Sequence, residues 1–169
     1  MMVVKIVIYT FILLSSFLIG ILQSQKYVSR VNELKEFKNA LNIFKTKIRF
    51  TGEPIPEIFL EISNNIGSNI GEIFKIASNN MQLVGAGRAW DLALDLDILN
   101  LNKEDINALK NMSKLLGQTN VEGQISQIDL TNSFLDMQIA KAEKEREKSE
   151  KLYRMLGMVI GIAIVIILI

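Results

Sequence analysis

Three residue patterns in this 169-residue chain could carry chemistry, and each lacks something that its chemistry requires. Gly85-Ala86-Gly87, after Met81 to Val84, mimics the opening of a dinucleotide fingerprint, in which glycines let the backbone approach a pyrophosphate at a helix N-terminus. Trp90 stands in the third glycine's place and no parallel-sheet pattern surrounds it, so the pattern fails. Asp91, Asp95 and Asp97 suggest a cation site. Read as a calcium loop from Asp95, the sixth place is Asn100 and the twelfth Ile106, where glycine and glutamate belong, so these aspartates read as solvated or helix-end charges. Glu143 and Glu147 could pair for acid–base work, but they sit in a charged run and not in a pocket. Trp90 itself reads as a core aromatic, because no basic residues interleave with other aromatics to make a stacking platform.

Composition closes the remaining catalytic routes. Cysteine and histidine are both absent, which removes disulfides, thiolate zinc sites, the commonest transition-metal ligands and triads of the Ser-His-Asp or Cys-His type. No P-loop motif occurs. Of nineteen basic residues only Lys5 lies outside the stretch Lys26–Arg154, where eighteen basic residues meet eighteen acidic ones. That balance argues against a nucleic-acid partner. The expectation is a protein that is not an enzyme, with no catalytic residue, cofactor, metal or small-molecule substrate.

The elements that must position whatever this chain does are set by its two ends. Ile6 to Leu22 runs without a charge and as a helix spans roughly 25 Å, enough with its flanks to cross a bilayer. Its apolar core exceeds a signal-peptide h-region and no A-x-A-like site follows, so it reads as an uncleaved anchor. Met155 to Ile169 is the second apolar run, extended by Tyr153 and Arg154 at the headgroup level. Gly157 and Gly161 form a G-x-x-x-G, a face that lets another helix approach closely. The expected division is a transmembrane helix over 5–22, a helical domain over 23–152 and a second transmembrane helix over 153–169. Lysines and arginines crowd both inner flanks, so the positive-inside rule puts the domain in the cytoplasm.

Between the anchors the pattern is all-α, a membrane-anchored bundle of about six helices. Tyr27, Val31, Leu34, Phe37, Leu41, Phe44 and Ile48 form one apolar stripe, ending at Gly52, Pro54 and Pro56, the last suited to the first position of the next helix. Ile58, Phe59, Ile62 and Ile66 mark that helix; Ile70, Ile73, Phe74 and Ala77 mark another after a break over Gly67–Gly71. A polar break at Ser78–Asn80 is expected before a helix carrying Trp90 and Leu94. Leu92, Leu94, Leu96 and Ile98 alternate with polar residues, but a lone strand would have no partner, so the segment after Leu94 reads as a connector. Asn102 opens a helix with Ile106, Leu109, Met112 and Leu116 inward and Gly117 closing it. Thr119-x-x-Glu122 reads as a capping box for the last helix, which continues through a solvated stalk over 141–151 into the tail.

This arrangement resembles the stage III sporulation protein AB family of endospore formers. The resemblance rests on the Leu41–Phe50 stretch turning through Gly52 and Pro54, the Ala89-Trp90 pair, Leu116-Gly117-Gln118-Thr119-Asn120 followed by Gln124, and Tyr153, Leu156, Gly157 and Gly161 opening the tail. It departs where Asn120 replaces the family's usual aspartate and where the segment between Trp90 and Asn102 is short. The resemblance implies a helical domain similar to the cytoplasmic domain of the type II secretion platform protein. It also implies membership of a channel-like complex between mother cell and forespore, on the mother-cell side of the outer forespore membrane, with a secretion-type ATPase as neighbour. The chain would then act as a non-catalytic platform or adaptor. Gln118, Thr119, Asn120 and Gln124 are the candidate partner contacts, and Gly157 and Gly161 the candidate transmembrane packing residues. The alternative is a membrane-anchored helical signalling adaptor.

Overall fold

The computed structural model describes residues 2–168, with side chains from Val7 onward; the Lys5 side chain and Ile169, the outer limits of the two apolar segments, lie outside the described residues. The architecture is all-α. Among the described residues six α-helices follow one another: α1 (Met2–Phe50), α2 (Ile55–Asn65), α3 (Asn69–Val84), α4 (Ala86–Leu94), α5 (Lys103–Lys110) and α6 (Val121–Leu168), with a 3-10 turn over Asn111–Lys114. The chain divides into two compact units, one of residues 1–31 with 141–169 and one of residues 32–140.

The central unit is organised by an aromatic cluster. Leu34, Phe37, Leu41 and Phe44 of α1 are fully buried, as the stripe requires, and they meet Phe59 of α2, Phe74 of α3 and Trp90 of α4. Phe59 stands 4.8 Å from Phe74 and 5.6 Å from Trp90, ring centre to ring centre, largely edge to face, the geometry that aligns ring edges with electron-rich faces. The Trp90 indole donates to the Leu109 carbonyl at 3.0 Å, so its polar atom is satisfied inside the core.

Several expected boundaries move. Pro54 is the residue before α2 and Pro56 takes its second position, where the missing N–H is still harmless. The Gly67–Gly71 break shrinks because Ser68 caps α3 by accepting from the Ile70 N–H, and Gly71 packs inside the helix against the Ile66 backbone. No break occurs at Ser78–Asn80: Ser78 donates to the Pro56 carbonyl at 2.7 Å and Asn80 to the Ile76 carbonyl at 2.8 Å, so both polar residues are satisfied within a continuous helix. The helix ends instead at Gly85, whose φ of 81° is costly for any residue with a Cβ. Gly87, the other glycine of the dinucleotide-like triplet, sits directly against the Ser113 backbone, where a side chain would not fit.

The connector after α4 is held by carboxylate and amide. Glu33 accepts from both the backbone N–H and the side-chain amide of Asn100 at 2.7 Å, and Asn69 donates to the Ile98 carbonyl at 2.7 Å. α5 opens with a reciprocal capping box between Asn102 and Asp105 and ends at Lys110, short of the expected close at Gly117; Leu109 is buried within it, Met112 in the 3-10 turn and Leu116 just after that turn, with Ile106 only half-buried.

In the unit of residues 1–31 and 141–169, the apolar stretches of α1 and α6 are long enough to cross a membrane, and only 17% and 11% of them are buried within the chain. Side chains such as Phe11, Ile19, Val159 and Ile166 are more than half exposed. In water this much apolar surface would be a liability; in a bilayer it is the solvated face. The chain has a two-pass membrane topology.

Candidate functional site

No three Asp or Glu side chains come together as a metal group among the described residues. Asp95 is instead paired with Lys110 at 2.5 Å, which ties the end of α4 to α5. The regions that remain as candidates are a turn in the central unit and the helix pair in the other.

The turn runs from Leu115 to Asn120. Gly117 has a φ of 74°, which lets the chain reverse, and a Cβ there would stand 3.1 Å from the Ala86 side chain at the start of α4. Gln118, Thr119 and Asn120 are exposed. The expected capping box does not form: Asn120, not Thr119, caps α6, its side-chain oxygen accepting from the Gly123 N–H at 3.0 Å while its carbonyl accepts from the Gln124 N–H at 3.0 Å. The physical reason is register. α6 begins at Val121, so Asn120 occupies the cap position, and asparagine is a better cap than threonine. An aspartate at this place would do the same job.

Gln124 differs from its three companions. It is buried, and its amide donates to the Leu115 carbonyl at 2.6 Å, the same oxygen that accepts from the Gln118 N–H at 3.0 Å, so the side chain ties α6 to the turn. The structure thus brings all four sequence-marked residues to one turn, with three facing solvent and Gln124 holding the turn from beneath.

α1 and α6 run antiparallel beside this turn. Lys45 pairs with Asp129 at 2.5 Å, Lys38 with Asp136, and the Asn132 amide donates to the Asn42 side chain at 3.0 Å. Each pair of residue numbers sums to the same value, which is what a straight antiparallel helix pair demands.

Gly157 and Gly161 are buried against α1. A Cβ at Gly157 would lie 2.8 Å from the Ser16 carbonyl oxygen and 3.5 Å from the Gly20 Cα, and the Ser16 hydroxyl donates to the Gly157 carbonyl at 2.6 Å. The opposing small residues Ser16, Gly20 and Ser24, spaced by four, were the signal that the reading of Gly157 and Gly161 alone missed. Beyond them Tyr27 and Tyr153 rings stand 6.0 Å apart, and Arg30, itself buried, pairs with Glu145.

Comparison with known proteins agrees with this geometry at the level of the whole chain. Residues 5–169 match the family described as stage III sporulation protein AB. Stage III sporulation protein AB of Bacillus subtilis (strain 168) is 24% identical over 162 residues, covering 94% of this chain and 95% of that protein. A solved structure of a stage III sporulation protein AB superposes with a TM-score of 0.66 at 22% identity, covering 70% of this chain and 97% of that one, a likeness of fold. With a match that takes in both apolar ends and everything between them, the chain belongs to the stage III sporulation protein AB family.

Proposed function

We propose that this chain is a non-catalytic membrane platform of a sporulation-associated, secretion-like channel complex between mother cell and forespore, and that its central helical unit couples a secretion-type ATPase to the membrane. The observation that carries the reading is the family match across residues 5–169, which joins the helical unit and both apolar segments in one architecture. On this reading 5–22 and 153–169 are the membrane spans and 23–152 faces the mother-cell cytoplasm, on the outer forespore membrane. The excess of lysine and arginine on the inner flanks supports that orientation. The exposed Gln118, Thr119 and Asn120 are the contact for the partner, with Gln124 holding their turn in shape. Displacement produced by a separate motor must reach the bilayer through protein, and the helical stalk over 141–151 is stiffer than a flexible linker.

The test is retention of the full chain, in detergent, by the sporulation ATPase, with Gln118→Arg and Thr119→Arg weakening retention and leaving the helical signal intact. Hydrolysis of ATP by this chain alone would overturn the platform reading, and absence of binding to the folded ATPase would leave the signalling adaptor. Orientation is tested by a cysteine at Ser68, which an impermeant thiol reagent should fail to label in intact cells.

A further inference from the structure

The two flanks where α1 and α6 leave their apolar stretches, residues 23–31 and 141–154, carry eight basic side chains against four acidic ones. Pairing within the chain does not cancel this excess; it concentrates it. Glu145 is taken by Arg30 and Glu150 by Arg146 at 3.6 Å, while Glu143 has contacts of its own. Lys148, Lys151 and Arg154 are exposed and carry no ion pair among the described residues. Their three-residue spacing fans them over about 120° of one side of α6, and they lie within about 10 Å, measured along the helix, of Met155, where the apolar run begins. Lys26 joins them from α1, its ammonium 5.2 Å from the Tyr27 ring centre. Tyr27 and Tyr153 are the aromatic residues at the same boundary, the depth at which tyrosine rings settle among headgroups.

We infer that Lys26, Lys148, Lys151 and Arg154 form a collar that binds the phosphates of anionic phospholipids, so that this protein selects the lipid around it. Phosphate oxygens accept from lysine and arginine donors, and a cation within a Debye length of a charged headgroup layer is attracted strongly enough to change local lipid occupancy several-fold. Even with the exposed Glu147 counted in full, four acidic side chains against eight basic ones leave the flanks an excess of four positive charges, so the lipid supplies the counter-charge that the collar lacks. The inference needs the two membrane segments and nothing of the ATPase coupling.

The experiment reconstitutes the full chain in phosphatidylcholine bilayers and measures by electron paramagnetic resonance the motionally restricted fraction of spin-labelled phosphatidylglycerol against spin-labelled phosphatidylcholine. Phosphatidylglycerol should be preferred about threefold or more at low salt, and the preference should fall toward one at high salt. The variant K26Q/K148Q/K151Q/R154Q should abolish the preference, whereas K75Q/K103Q, which neutralises two exposed lysines of the central unit, should leave it intact; helical circular dichroism checks that each variant is folded. The milder K148Q/K151Q should give an intermediate value. Inorganic phosphate should reduce the preference no more than chloride at equal ionic strength, because the site is completed by the bilayer surface. Equal restriction of the two lipids at low salt, a preference unchanged in the fourfold variant, or specific displacement by free phosphate would overturn the inference.

Discussion

Asn120→Ala is the perturbation that separates the observed α6 cap from the one the sequence suggests. The Asn120 side chain accepts one hydrogen bond, from the Gly123 N–H at 3.0 Å, and it is exposed, so water can replace part of what is lost and no buried group is orphaned. The loss should therefore lie in the middle of the range for N-caps, about 1 kcal/mol. For a cooperative unit the size of residues 32–140 this corresponds to a drop of about 4 °C in Tm. Asn120→Asp keeps the acceptor and puts a negative charge at the helix N-terminus, so its Tm should equal or exceed that of the native chain. Thr119→Ala removes an exposed side chain without a cap bond and should shift stability by less than about 0.5 kcal/mol. Thermal melts of the full chain in detergent, followed by circular dichroism, distinguish the three. If Thr119→Ala costs as much as Asn120→Ala, the assignment of the cap to Asn120 is wrong.

Trp90→Phe should destabilise the central unit by about 2–3 kcal/mol, because it removes the buried indole hydrogen bond to the Leu109 carbonyl and opens space among the packed rings; chemical denaturation measures it, and a loss below about 1 kcal/mol would mean the cluster is loosely packed. Cysteines at Ser16 and Gly161 should form an intrachain disulfide on mild oxidation, since a Cβ at residue 161 lies 3.2 Å from the Ser16 Cβ and the chain has no competing thiol; predominantly interchain products on a non-reducing gel would refute the intrachain pairing. The hydrogen bond from Lys47 to Glu61, with Glu53 nearby, raises the Lys47 pKa above its ordinary 10.5. Its contribution is fully present below 10.5 and lost as pH rises through the higher folded-state value, so Lys47→Met should remove one component of the alkaline fall in Tm and leave the neutral-pH slope unchanged. A Gly-Ser insertion after Glu147 should spare membrane insertion yet impair sporulation if the stalk transmits displacement; full activity would exclude that role.

Helix existence was legible wherever the apolar period was strong. The α1 stripe from Leu34 to Ile48, Ile58–Ile62 in α2 and Ile70–Ala77 in α3 are buried as their spacing demands, because a single buried face imposes its period on the residues. Boundaries were less legible where polar residues decide them. Ser78 and Asn80 read as a break, yet each finds a carbonyl, and whether a hydroxyl or amide ends a helix or rides within it depends on a partner that, as Pro56 is for Ser78, stands well away in sequence. Thr119 and Asn120 are both competent caps, and only the start of α6 chooses between them.

The candidate residues divide in the same way. Composition alone removed cysteine and histidine chemistry, since a residue that is absent cannot act, and two long uncharged runs determined the membrane segments, since hydrocarbon tolerates little else. What tertiary structure decided is which side chains are spoken for. Gln124 is turned inward to Leu115, Gly87 is filled by the Ser113 backbone, and Gly157 and Gly161 face Ser16 and Gly20 of the same chain. Those pairings join residues as far apart as Ser16 and Gly161, a proximity set by the antiparallel register of α1 and α6 and by how closely their backbones can approach, which no local pattern of residues encodes.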